Sequence, residues 1–258
     1  LLAAPYVRLA GVGNNSLGTD NLVRPTVQGG VSTQAAAGLL RVAAANVLDV
    51  RDSVNFGAHA ASSKALANAI DRRAFDQAHL VSQGDMRFLA RGSDTTKTAL
   101  TTQADLNLTA AQIYPATGAV AQVTAGYTGG DFDPARTLRI GRVGSTAPAQ
   151  PYSVFGSLVL AASTIEQGGV LRAPMGSLTL GVDEGITRST KAVKLLPGSL
   201  TSVSAGGLVL PYGGTVDGVT WQYDGKQVEL LGVGGTRSTG NVAVGVELAG
   251  RSLNVQQD

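Results

Sequence analysis

Apolar and variable residues alternate along much of this chain, and the alternation returns in recognisable copies. Gly156-Ser157-Leu158-Val159-Leu160 comes back twenty positions later as Gly176-Ser177-Leu178-Thr179-Leu180. Gly84-Asp85-Met86-Arg87-Phe88 comes back twenty positions later as Ala104-Asp105-Leu106-Asn107-Leu108, and a fifth copy opens at Gly38 with Leu40-Arg41-Val42. Aligned on the first small residue, the third position holds Leu40, Met86, Leu106, Leu158 and Leu178, and the fifth holds Val42, Phe88, Leu108, Leu160 and Leu180. Apolar residues two apart give a β-strand with one buried face. A self-similar step of about twenty residues is the mark of a solenoid whose units bury their faces on one another. The pattern predicts an all-β fold, a right-handed parallel β-helix with coils of about twenty residues. Ten to twelve such coils would form a rod on the order of 50 Å long.

Four further columns refine the unit. The seventh position is Ala44, Ala90, Ala110, Ala162 or Val182, which predicts a narrow corner with room for little more than a methyl group. The tenth is Val47, Ile113 and Ile165 in three copies, so a second strand resumes there; Ser93 and Gly185 take its place in the other two, where an irregular corner is expected. Gly or Ala opens every copy, as a bend crowded against the chain or one of positive φ requires. The intervening fourth position varies freely (Arg41, Arg87, Asn107, Val159, Thr179) and is read as solvent-facing. Arg41 and Arg87 would then lie on one face, available to acidic glycans or lipid headgroups.

Between copies the period breaks. Residues from Ser62 to about Ala78 are strong helix formers, with Leu66, Ile70 and Phe75 on one side, and predict one short helix against the flank of the rod. Insertions are expected near 59–80 and 114–152. Asp224-Gly225, between Trp221-Gln222-Tyr223 and Gln227-Val228-Glu229-Leu230, is a two-residue hairpin signal. The expected organisation is a β-helix segment over 1–235 and a terminal strand or coil over 236–258 that continues it.

Composition adds limits. Gly is abundant at 34 residues while aromatics make up 5% and charged residues 15%, which suits slim inward side chains and many turns. There is no Cys, and no apolar run is long enough to span a membrane. The opening Leu1-Leu2-Ala3-Ala4-Pro5 lacks the form of a signal peptide, and the chain reads as a segment of something longer. The net charge of +2 is scattered, without the clustered basic face that nucleic acid demands. Two histidines, His59 and His79, without Cys make no zinc set, so neither a metal site nor a cofactor is expected. Gly-x-Ser-x-Gly is absent, and the Gly-rich stretches at Gly11 and Gly232 do not complete a dinucleotide loop. Asp131 and Asp133 form the best carboxylate pair. They could act as acid and base on a polysaccharide, though Gly129-Gly130 before them and Pro134 after them suit an acidic turn. Trp221 and Tyr223 could offer a stacking surface to a glycan.

Several phrases carry a family resemblance. Tyr152-Ser153-Val154-Phe155-Gly156-Ser157-Leu158-Val159-Leu160 and Ile165-Glu166-Gln167-Gly168-Gly169-Val170-Leu171-Arg172-Ala173-Pro174-Met175-Gly176 resemble large bacterial exoproteins of the filamentous haemagglutinin type. So do Leu195-Leu196-Pro197-Gly198-Ser199-Leu200 and Leu210-Pro211-Tyr212-Gly213-Gly214-Thr215. The likeness is to a haemagglutinin-associated region of uncharacterised role and extends over about Gly38 to Gly235. It implies secretion through an outer-membrane transporter partner, a β-helical shaft within a longer exoprotein, and a place at the bacterial surface in adhesion or delivery of a toxic tip, with a host or bacterial glycan or receptor as a possible contact. The secretion phrases Asn-Pro-Asn-Leu and Asn-Pro-Asn-Gly are missing, so this segment is not expected to be what the transporter recognises. The resemblance supplies no catalytic residue. The function expected is therefore a non-enzymatic, structural or adhesive shaft of a secreted surface exoprotein. Its rival is a polysaccharide-degrading or glycan-binding β-helix.

Overall fold

The computed structural model describes residues 1–11, 38–56, 75–90, 97–127, 132–182 and 189–208, together with short strand segments within 222–255. Among these residues the chain is all-β, without a helix. In chain order the strands are β1 (Leu2–Ala10), β2 (Leu39–Arg51), β3 (Ser53–Phe56), β4 (Gln77–Ser82), β5 (Asp85–Phe88), β6 (Thr98–Thr102), β7 (Asp105–Ala110), β8 (Gln112–Pro115), β9 (Val120–Thr124), β10 (Thr137–Arg142) and β11 (Ser157–Ala161). They continue with β12 (Thr164–Gln167), β13 (Val170–Arg172), β14 (Ser177–Leu180), β15 (Ala192–Leu195) and β16 (Leu200–Ser202). The short segments β17 (Gln222–Tyr223), β18 (Lys226–Gln227), β19 (Leu230–Leu231), β20 (Arg237–Ser238) and β21 (Leu253–Val255) complete the set.

Two large parallel sheets arise from three rows of strands. The first row runs β2-β4-β7-β10-β12-β15, the second β2-β5-β8-β13-β16 and the third β3-β6-β9-β11-β14-β21. Long β2 belongs to two rows. Leu39–Ala44 pairs with β4 and Val47–Val50 with β5, so the sheet curls through it. Strand β1 covers the free edge of β2, with a register shift between Ala4 and Tyr6. Pro5 sits at that shift, and a residue without an N–H blunts an exposed edge.

Inward residues of all three rows form one apolar core. Leu48, Leu106, Leu158 and Leu178 are each at most 1% exposed and belong to the same cluster. Burying one such side chain contributes roughly 1.5–3 kcal/mol. The small seventh position is also inward: Ala44, Ala110 and Ala162 are buried, while Ala90 is half-buried.

The glycines that open the copies answer to stacking. A Cβ on Gly84 would run into the Asn46 carbonyl oxygen, and one on Gly176 into that of Gly156. The turn before the third row carries a left-handed column as well. Val120, Ser157 and Ser177 are in register, and two residues before them Gly118, Phe155 and Met175 have φ of 65°, 62° and 53°. Their N–H groups donate to Val154, Pro174 and Val203 carbonyls at 3.0, 3.0 and 2.9 Å, tying each turn to the next.

The step between passes departs from the expected twenty residues. Asp105 lies beside Gln77, Leu138 beside Leu106, Ile165 beside Leu138 and Val193 beside Ile165, steps of 28, 32, 27 and 28. A twenty-residue step holds for Leu158 beside Leu178. The Gly84 and Ala104 phrases fall in different rows, so their likeness reflects a shared need for an inward face rather than stacking of one on the other. The six strands of the first row span only about 24 Å at ~4.8 Å per strand, about half the expected rod.

Other expectations change too. The helix expected over Ser62 to Ala78 ends in strand: Ala78 pairs with Leu40 and Leu106, fully buried, and inward packing overrides helix propensity. Residues 57–74, with His59, lie outside the described residues. The insertion expected near 114–152 narrows, because β9 and β10 within it join the third and first rows. What leaves the rows is 143–156. There Ile113 of β8 meets Leu171 of β13 directly, whereas β10 and β11 separate the corresponding strands of the other two rows. The hairpin is present, with Tyr223 paired to Lys226 around Asp224-Gly225. Ser93, Gly185 and the stretch 239–252 lie outside the described residues.

Candidate functional site

Outward residues of stacked strands form columns, and their chemistry differs from row to row. On the first row Arg41, His79, Asn107, Arg139, Glu166 and Lys194 stand in register. Arg139 Nε and Lys194 Nζ donate to the two oxygens of Glu166 at 3.0 and 3.2 Å. The hydrogen bond from Lys194, supported by Arg139, holds the Glu166 carboxyl below its ordinary range although burial pushes the other way. The third row offers an uncharged column of Ser53, Ala99, Gln122, Val159 and Thr179.

The second row carries the densest polar network. Asp49, 1% exposed, accepts from Arg87 Nε at 2.8 Å, from Arg87 Nη2 at 2.9 Å and from the Tyr6 hydroxyl at 2.7 Å. The Tyr6 bond fastens β1 to the stack, and within β1 Arg8 Nε donates to the Tyr6 oxygen at 2.9 Å. The Arg87 pKa is raised, first by its hydrogen bond to Asp49. In the next strand the Tyr114 hydroxyl donates to Asp85 at 2.7 Å, and burial together with that carboxylate pushes the phenol well above its ordinary value. Arg172 follows, 8% exposed, with Nη1 donating to Gln112 Oε1 at 3.1 Å and to the Pro148 carbonyl at 2.9 Å. The segment 143–156 is thus strapped across the outside of the row that it leaves.

A third cluster sits at the corner before the first row. Arg136 Nη2 lies 2.6 Å from Asp76, Nη1 3.5 Å from Asp105 and Nε 3.6 Å from Asp133. Burial opposes the Arg136 charge, but the Asp76 hydrogen bond and the other two carboxylates raise its pKa nonetheless. Asp105 also accepts from the Thr137 N–H at 2.7 Å.

Asp133 therefore stands in an ion-paired turn, its second oxygen accepting from the Ala135 N–H at 2.9 Å. Asp131 and Trp221 lie outside the described residues, and Tyr223 is placed by its backbone alone in β17. Arg41 and Arg87 do not share a face: Arg41 stands beside His79 on the first row and Arg87 beside Asp49 on the second. The Glu166-Gln167-Gly168-Gly169 phrase has a structural use. Gln167, fully buried, bonds both to Gly169 and to Leu200 and Thr201 of the next pass, and a Cβ on Gly169 would crowd the Gly141 carbonyl at 2.7 Å.

Sequence reasoning missed Asp49, Asp85, Gln112, Arg136 and Arg172, whose partners, Asp133 beside Arg136 apart, lie far away in sequence or on the strap. The available signal was register. Once Leu106 is placed beside Leu138, Asn107 must stand beside Arg139. The ion pairs so formed mostly fasten one pass to another, and no group of three acidic or histidine side chains suited to a metal occurs among the described residues. No helix there is long and apolar enough to cross a membrane. No family model, curated protein or solved structure matches this chain.

Proposed function

We propose that this chain is a stretch of right-handed parallel β-helix acting as a structural or adhesive shaft in a secreted bacterial surface exoprotein, where it presents a binding or toxin-bearing region away from the cell. The observation that carries the reading is Leu158 set in register on Leu178, within one core shared by all three rows. Stacked passes joined by ladder hydrogen bonds resist bending and extend by adding passes, which is what a spacer needs. Most of the ion pairs described above serve the same purpose, because their partners come from different passes. In this role the chain has no turnover of its own.

The test places the chain between an outer-membrane anchor and an epitope on a bacterial surface. A shaft is expected to leave the epitope open to antibody and farther from the membrane than an anchor lacking the segment. The purified chain should neither cleave nor retain acidic or neutral glycans. An epitope no farther out despite a folded segment would overturn the spacer role. Glycan cleavage that Asp133→Asn abolishes, or retention that Trp221→Ala abolishes, would replace it with the rival reading.

A further inference from the structure

We infer that Arg172 anchors a site for a small oxyanion, a carboxylate or phosphate group, between the second row and the strap 143–156. A guanidinium carries five N–H donors. Both hydrogens of Nη1 are used, on Gln112 Oε1 at 3.1 Å and on the Pro148 carbonyl at 2.9 Å. Nε is buried without a partner, and no hydrogen bond joins Nη2 to the described residues. Nε–H and one Nη2–H are coplanar and parallel, the fork that matches two oxygens on one carbon or phosphorus atom.

Among the described residues no counter-charge touches that fork. Both Nη1 acceptors are neutral, and a buried cation ordinarily meets an anion. Asp85 acts on Arg172 through space, but it already accepts the Tyr114 hydroxyl at 2.7 Å. Burial lowers the Arg172 pKa in spite of Asp85, as expected of a cation short of negative partners. Arg87, the next cation along the column, differs because it is neutralised in bidentate fashion by Asp49.

Access is built into the strap. Over this site it is held by side-chain bonds: Arg172 to Pro148, Gln112 Nε2 to the Ala149 carbonyl at 3.3 Å, and Gln150 to the Ser204 carbonyl. None is a ladder bond, so the strap can lift without unpairing a strand. Gly144 at its start has φ of 76° and open space around it, which suits a pivot.

Thermal unfolding with acetate or inorganic phosphate, against sodium chloride at equal ionic strength, tests the site. One or both oxyanions should raise the midpoint saturably, by on the order of a few °C at a hundredfold excess over Kd, with chloride well behind. Which oxyanion does so tells carboxylate from phosphate. Arg172→Lys keeps the charge but loses the fork, and should abolish the rise. An equal rise in Arg172→Lys, or none in the wild type, overturns the inference. Should the variant fail to fold, the Arg172 Nε–H resonance of the wild type decides. It should shift and exchange more slowly as oxyanion is added, and an unmoved resonance rejects the site.

Discussion

Strands β11 and β14, and strands β8 and β13, are both neighbours in a parallel row, yet they are held in different ways. β11 lies on β14 over Ser157–Leu160 with like on like: serine beside serine, leucine beside leucine, and the same left-handed turn before each. β8 meets β13 through Ile113 and Leu171 after a pass has been skipped, and what surrounds that contact is polar: Tyr114 on Asp85, Arg172 on Gln112, and a strap over the top. The first region depends on repetition of a short phrase. The second depends on bonds between residues far apart in sequence. A row can thus lose a strand and remain closed when side-chain chemistry seals the outer face.

The sharpest way to break the apolar region is Leu178→Asp. Leu178 is fully buried against Leu158, so the change removes a packed side chain and buries a charge without a partner. The expected loss is about 5 kcal/mol, seen as a collapse of the denaturation midpoint. A variant unfolding at the wild-type midpoint would mean that the in-register core does not hold the stack.

Asp49→Ala attacks the polar region at its most buried charge. It strands the Arg87 guanidinium and the Tyr6 hydroxyl, and removing one member of a buried pair costs about 3–5 kcal/mol. The Arg87 side chain is 37% exposed and can turn to water, so about 2 kcal/mol is expected. Because Tyr6 reaches Asp49 from β1, amides of β1 should also exchange faster. Unchanged exchange there would show that backbone pairing alone retains the edge strand.

How far the sequence was legible follows the same division. Inward columns could be read because burial restricts them to a few apolar residues: Leu106, Leu158 and Leu178 were expected in one stack, and they do share one core, but Leu106 stacks in the first row and the other two in the third. The length of a pass was misjudged, because loops between rows vary freely as long as each strand lands in register; the steps of 27, 28 and 32 residues in the first row leave no period for the eye. The outward networks were illegible for a related reason. Asp49 and Arg87 are 38 residues apart, and Arg136 draws two of its three carboxylates, Asp76 and Asp105, from other strand entries, so local spacing does not encode these contacts. Asp133 was noticed as half of an acidic pair, but its partner in space is the cation three residues later.

The left-handed column before the third row gives a smaller effect. Met175 has φ of 53°, where L-residues pay about 1–2 kcal/mol and branched ones more. Met175→Val should destabilise by about 1 kcal/mol beyond its lost contacts, whereas Met175→Gly should come close to neutral as strain relief offsets chain entropy. Equal losses for the two would show that packing, not backbone strain, sets the choice at this corner.

The smallest effect concerns the first-row column, and it asks whether outward ion pairs matter at all beside the inward stack. Glu166 bridges Arg139 and Lys194, and its folded pKa lies below the ordinary value of 4.5. A carboxyl with a depressed folded pKa adds stability above its unfolded pKa, and that gain is lost as pH falls through the folded pKa. Wild type should therefore exceed Glu166→Gln by at most about 1 kcal/mol at pH 7, with the gap closing once the pH drops below the 4.5 reference and the carboxylate protonates. Thermal midpoints of both proteins across that window measure it. Glutamine keeps the stem, so a gap that persisted in acid would have to come from the hydrogen bonds that both Glu166 oxygens accept and that the amide nitrogen of glutamine cannot. The outward columns would then hold by hydrogen-bond geometry rather than by charge.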